Sequence, residues 1–249
     1  MDPVDVFSSK AEKYAQFRWG YAPGCIQTIF EVTGINDEAC VADIGAGTGI
    51  LTREFIGKVK MVFAVEPNPE MRAIAATELD QFPSCQVVDG RAEATGLASQ
   101  SVDLITGAQA MHWFEPHQTQ KEFLRILKPG GWLAMCRNDG VDHDLHAALE
   151  EVFPIETDTS SLMVGKSEPR SYYYGEGGYL KQEYPFSTKL TWETFFGSLS
   201  TASYAPDEGT PMFVEFECGA RSVFDRFSVD QVIELHSVTE LYLGQMTVR

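Results

Sequence analysis

The chain has 249 residues, 44% hydrophobic and 22% charged, the balance of an ordinary folded protein long enough to bury a large core. A net charge of −17, with no Lys/Arg cluster as a local exception, argues against nucleic acid and anionic membranes as partners. Five cysteines without a C-x-x-C pair, an opening Met-Asp-Pro-Val-Asp that lacks signal-peptide character, and no apolar stretch of membrane-spanning length lead us to expect a cytoplasmic protein, monomeric or homodimeric.

Residues 5–33 read as two helices. Ser8 or Ser9 can cap a stretch from Lys10 to Trp19, and Pro23-Gly24 opens a second helix that Gly34 closes. The first is rich in aromatic residues and has two readings. It is either a helix packed on the main domain or a flap over a ligand, with Tyr14 and Arg18 at the i, i+4 spacing that lets both reach one point.

An apolar run, Cys40 to Ile44, carries one carboxylate, Asp43, and breaks into Gly45, Gly47 and Gly49. The following Ile50-Leu-Thr-Arg-Glu-Phe is expected to form a helix with Ile50, Leu51 and Phe55 on one face. Strand, glycine turn and helix let backbone N–H groups approach a ligand closely. A dinucleotide fingerprint needs G-x-G-x-x-G, and Ile50 stands at its last position, which leaves G-x-G-x-G behind an acid.

Further apolar runs follow at Met61–Val65, Cys85–Val88, 102–106 and 132–136. Helical patterns fill the gaps at Pro69–Leu79 and at 119–127, the latter stopped by Pro129-Gly130-Gly131. This alternation predicts an α/β protein with a parallel sheet, whose ligands sit at the carboxyl ends of the strands. Asp43, Glu66, Asp89 and Gln109 occupy those ends. Glu66, before a helix-opening Pro67, is either a dipole-complementing acid or an acceptor for both hydroxyls of a ribose, and the glycines with Asp43 favour the ribose. Beyond Asn138 we expect a helix at 141–152, a long Ser/Pro/Gly/Tyr-rich loop at 153–178, a strand at Tyr179–Leu190, helices at 191–199 and Pro211–Phe227, and a strand within 231–246.

Asp43-Ile-Gly-Ala-Gly-Thr-Gly, Phe63-Ala-Val-Glu-Pro-Asn, Gly90-Arg-Ala-Glu, Ser101-Val-Asp-Leu-Ile and Leu127-Lys-Pro-Gly-Gly together resemble the motif series of the class I S-adenosylmethionine (SAM) dependent methyltransferases, over roughly residues 40–138. Lys13-Tyr-Ala-Gln-Phe-Arg, Ala108-Gln-Ala-Met-His-Trp-Phe and Thr239-Glu-Leu-Tyr-Leu-Gly are similar to the small-molecule branch, the type 11 group that includes trans-aconitate methyltransferases.

The resemblance implies one Rossmann-like domain: a mostly parallel seven-stranded sheet with an antiparallel C-terminal strand, helices on both faces, and a cap insertion. Its parts would be a helical flap (1–33), a SAM-binding core (40–138), a substrate cap (154–214), and a C-terminal helix and strand (215–249). It implies SAM as cofactor, S-adenosylhomocysteine as product, and direct displacement onto a small-molecule acceptor. A SAM-binding regulatory or partner protein without turnover is the alternative. The implied cofactor residues are Asp43, Gly45, Ala46, Gly47, Gly49, Glu66, Pro67, Arg91, Ala92, Glu93, Ala108 and Gln109, joined by Tyr14 and Arg18 of the flap. Arg91 stands where many relatives carry Asp, and Trp19 follows Arg18 where relatives have Pro, which implies a reshaped substrate mouth.

On the acceptor side the candidates are His112, Trp113, Trp19, Tyr21, Arg137 and Tyr174. His112 is either a general base or a packing partner of Trp113. Tyr172–Tyr174 with Gly175, Gly177 and Gly178 is either an aromatic lid or a packed loop. His143 and His146 have a metal-like i, i+3 spacing, but the acidic first turn of a helix explains them and no metal is expected. The charge of −17 argues against a multiply anionic acceptor unless Arg18, Arg137 or Arg170 supplies a clamp.

Overall fold

A computed structural model of the chain describes residues 10–152, 171–175, 178–202 and 205–246. Helix α1 (Ala11–Phe17) and helix α2 (Pro23–Thr33) precede the sheet, and Gly34 ends α2 in the left-handed conformation that glycine adopts without strain. Ser8 and Ser9, the expected caps of α1, lie outside the described residues.

The strands are β1 (Cys40–Ile44), β2 (Met61–Val65), β3 (Cys85–Val88), β4 (Val102–Ala108), β5 (Leu127–Gly140), β6 (Tyr179–Leu190) and β7 (Ile233–Gln245). They form one seven-stranded sheet in the order β3-β2-β1-β4-β5-β7-β6. The first five are parallel, and β7 runs antiparallel between β5 and β6. After β3 the chain crosses to the other side of β1, so the carboxyl ends of β1 and β4 flank the switch point where such sheets bind ligands.

Helices α3 (Pro69–Leu79), α4 (Pro116–Ile126), α5 (His143–Val152), α6 (Ser171–Tyr174), α7 (Trp192–Ser200) and α8 (Pro211–Phe227) complete the fold. Local chemistry sets their starts. Asn68, Glu115, Thr191 and Thr210 each accept a backbone N–H of the following first turn, and Pro69, Pro116 and Pro211 occupy positions where no N–H is needed. The Glu115 cap explains why α4 begins three residues before the expected start at 119.

The two sheet faces carry separate cores. Ala42, Ile44, Ile105, Phe123 and Leu133 pack on one side, and Val41, Phe55, Leu104, Ala134 and Leu241 on the other, as the strand period of two requires. A third cluster joins α5, α7 and α8 through Leu145, Phe195, Val223 and Phe224.

Three expectations need correction. The helix after the glycine turn is a single 3-10 turn, Thr52–Glu54. Thr52 and Ile50 are β-branched, and the Thr52 hydroxyl is committed to Asp43, so only the burial of Leu51 and Phe55 survives from the helical pattern. Strand β5 is longer than residues 132–136, because β7 pairs with it from Trp132 to Gly140. Strand β6 falls inside the 154–214 span read as a cap, yet it is a full edge strand. In the same span, α6 packs its tyrosines into the core of one sheet face.

Candidate active site

Two cavities open at the carboxyl ends of β1 and β4. The larger, about 490 Å³, is lined by Gly45, Gly47, Glu66, Pro67, Arg91, Ala92, Glu93, Ala108, Gln109, Trp113 and Tyr14 among others. The three glycines of its turn have different tasks, although all have positive φ. A Cβ on Gly45 would lie 2.7 Å from the Ala110 Cβ, and one on Gly49 would lie 2.9 Å from Leu79, so both are spent on close packing. A Cβ on Gly47 would meet only the Met71 sulfur at 3.7 Å, and it would point into space that a ligand can fill.

The turn's amides are committed within the protein. The N–H groups of Gly45 and Ala46 both donate to the Val65 carbonyl. That of Gly47 donates to Glu66 Oε2 at 2.7 Å. Ala46 packs with Ala64, Ala75 and Leu79 rather than lining the cavity. Asp43 is buried as well. Its two oxygens accept the hydroxyls of Thr52 (2.7 Å) and Thr106 (3.0 Å), so it fastens the glycine turn to β4 instead of touching a ligand. Burial pushes its carboxyl up to about 6 against those hydrogen bonds.

Glu66 is 6% exposed and accepts the N–H of Asn68 at 2.8 Å in addition to that of Gly47. Burial raises its pKa, and the two backbone donors oppose the shift. Each oxygen keeps acceptor capacity toward the cavity, as a ribose diol requires. Asn68 escaped the sequence reading, although its position before Pro69 marks a helix cap. Glu93 accepts the N–H of Glu115 at 2.7 Å and so holds the start of α4 to the loop that carries Arg91 and Ala92.

The second cavity, about 210 Å³, lies beside the first. Arg18, Trp19 and Tyr21 from the α1–α2 connection, Phe195 and Leu199 from α7, and His146 from α5 contribute to its wall. Tyr14 and Gln109 line both cavities. Gln109 adopts φ 55, rare for a residue with a Cβ, and its amide donates to the Asn138 carbonyl at 2.9 Å. Arg18 was expected at the cofactor. Its guanidinium packs over the Tyr14 ring, its Nε donates to Thr201 at 2.7 Å, and it lines the second cavity.

Four acceptor-side expectations change, the first being Trp113, which lines the first cavity and not the second. Arg137 lines neither cavity and pairs with Asp139 and Glu240. Tyr174 is fully buried, and its hydroxyl donates to the carbonyls of Leu133 and Tyr242. The lid reading therefore fails for it. Tyr172 likewise packs on α4, bonded to Gln120 and His117. His112 lines neither cavity, and its ring lies 4.7 Å from that of Trp113. Arg170 lies outside the described residues.

Residues 42–135 match the family model described as a methyltransferase domain. An uncharacterised methyltransferase-like protein of Schizosaccharomyces pombe is 30% identical over 213 residues, spanning 82% of this chain and 81% of that protein. The chain belongs to the class I SAM-dependent methyltransferases. An uncharacterised methyltransferase of Mycobacterium tuberculosis is 35% identical over 132 residues, which is 53% of this chain and 51% of that protein. Among solved structures, a chain named as a type II methyltransferase from Anaeromyxobacter dehalogenans superposes with a TM-score of 0.59 at 19% identity, over 92% of this chain and 98% of that one, a likeness of fold alone. The cofactor of such a methyltransferase is SAM. The open cradle at Gly47 and the Glu66 carboxylate suit its methionine and ribose parts.

Proposed function

We propose that this methyltransferase transfers a methyl group from SAM to a small-molecule acceptor held in the second cavity. The observation that carries this reading is the shared wall: Tyr14 and Gln109 border both cavities, so a donor in one and an acceptor in the other meet at those two side chains. The second cavity, about 210 Å³, lies below the range of roughly 300–1,000 Å³ usual for drug-sized ligands, which supports a small acceptor. Five free thiols and the absence of a membrane-crossing helix among the described residues are consistent with a cytoplasmic setting.

When bound, SAM supplies a methyl group already activated on a positively charged sulfur. The chain's part is then to align, exclude water and hold protons. Glu66 and the Gly47 cradle fix the donor, and Arg18 packs on the Tyr14 ring that borders it. Trp19, Phe195 and Leu199 keep water from the acceptor. Tyr21 makes no hydrogen bond among the described residues, and burial, with Tyr14 and Asp43 nearby, drives its pKa well above the ordinary value. Its hydroxyl therefore stays protonated and donates to the acceptor. Tyr14 is raised as well, again chiefly by burial. With Asp43 sealed away and His112 outside the cavities, the junction favours an acceptor that arrives nucleophilic, and proximity does most of the work.

Release of S-adenosylhomocysteine, followed by fluorescence against a panel of small metabolites, tests the reading. Turnover with one acceptor class supports it. Binding of SAM without release across the panel would favour the regulatory alternative.

A further inference from the structure

Lys10 is 8% exposed, and its ammonium donates at 2.7 Å to two neutral acceptors, the carbonyls of Ala202 and Ala205. Among the described residues no carboxylate stands within ion-pairing distance of it, and burial lowers its pKa, with Asp207 opposing. An ammonium buried on carbonyls alone is costly, so its placement calls for a reason. The two carbonyls lie beyond α7, two and five residues after its last residue, Ser200. Lys10, the residue just before α1, thus holds the segment that follows α7.

Other ties run the same way. Arg18 Nε holds Thr201, Lys13 pairs with Glu208, and a Cβ on Gly197 would overlap the Phe17 ring, so α1 lies flush on α7. Residues 198–202 are held by α1 on one side and contribute Ser198, Leu199 and Ala202 to the second cavity on the other. On its other flank α1 presents Tyr14 to the cofactor cavity.

We propose that Lys10 is a positioning residue for the acceptor cavity: it fastens α7 to α1, so that ordering of α1 by bound cofactor is carried to the wall at residues 198–202. The inference rests on the cofactor occupying the larger cavity. It makes a firm wall at residues 198–202 a consequence of cofactor binding, with the acceptor entering second.

The test uses the full chain with S-adenosylhomocysteine as probe, its binding measured by calorimetry and the backbone by hydrogen exchange. In the wild type, ligand should slow exchange about tenfold in both residues 11–18 and residues 195–202. In Lys10→Met the first segment should remain protected while the second loses its ligand-dependent protection. Thr201→Val, which breaks the Arg18 tie, should do the same in part and serves if Lys10→Met does not fold. Equal protection of 195–202 in wild type and variants, or none in a wild type that binds the probe, overturns the coupling alone. A wild type that does not bind the probe overturns the cofactor reading and the coupling with it.

Discussion

The carboxylate of Glu66 accepts the backbone N–H of Gly47 at 2.7 Å, nineteen residues earlier in the chain. Through that bond the acid at the end of β2 and the turn at the end of β1 hold one position. Changes at Glu66 and at the Gly47 turn are therefore not independent. A glutamine at 66 must turn its NH₂ toward one of the two backbone donors, so Glu66→Gln should resemble Glu66→Ala. Calorimetry should find S-adenosylhomocysteine affinity reduced by about 1–3 kcal/mol in either variant. Wild-type affinity in both would remove Glu66 from the site.

The glycines should separate stability from binding. Gly45→Ala forces a carbon into Ala110 and should lower the melting temperature strongly. Gly47→Ala meets no clash and bears only the strain of its positive φ, on the order of 1 kcal/mol, but it fills the cradle. It should melt near wild type and bind S-adenosylhomocysteine poorly, while Gly47→Val should not bind at all. Thermal melts with and without the ligand separate the cases.

Asp43 should leave a signature in the pH dependence of stability. Its folded pKa, about 6, lies above the ordinary 3.8, so the fold favours the protonated form. Its contribution is complete below about pH 4, is lost as pH rises toward 6, and is flat beyond, a change of about 3 kcal/mol. Urea midpoints for wild type and Asp43→Asn between pH 4 and 7 should diverge in that window, with the variant gaining relative to wild type as pH rises. Parallel curves would mean that the carboxylate is not desolvated.

His112→Ala should cost less than tenfold in turnover, with an unchanged pH–rate profile, because the ring lines neither cavity and rests against Trp113. A general base typically contributes about 10²–10⁴-fold. A hundredfold loss that also removes a limb near neutral pH would restore His112 as the base.

Arg137→Ala should change neither turnover nor, beyond about 0.5 kcal/mol, stability, since Arg137 is half exposed and Glu240 keeps Lys181 as a second cation. A rise in acceptor KM would place it back in the substrate path.

Much of the first cavity's lining was legible because its residues are local in sequence. Asp43 and the glycines share one turn, and Glu66 ends the next strand, so spacing alone brings them together. The β-α alternation fixed the parallel strands for the same reason. The acceptor half was harder to read, because Trp19, His146 and Leu199 meet only through the packing of α5 and α7 on the sheet. Arg137 and Tyr174 were misplaced because a strand alternates its faces and an aromatic run carries no direction. A cation at the right strand end turned outward to Glu240, and Tyr174 turned into the core. Lys10 had no local signal, since its partners lie more than 190 residues away.

The antiparallel insertion of β7 between β5 and β6 also bears on how the chain acquires its shape during synthesis. Every residue lining the cofactor cavity lies at or before Gln118, whereas β5 has an open edge and β6 no partner until β7 emerges. The emerging polypeptide can thus shape its first cavity early while β5 keeps an open edge and β6 has no partner, a state prone to sticking to other chains. A version ending at residue 232 would keep all the donor-site side chains and be expected to precipitate. The strand that seals the sheet, and supplies Leu235 and Ser237 to the second cavity, protects a nascent chain as much as it completes the fold.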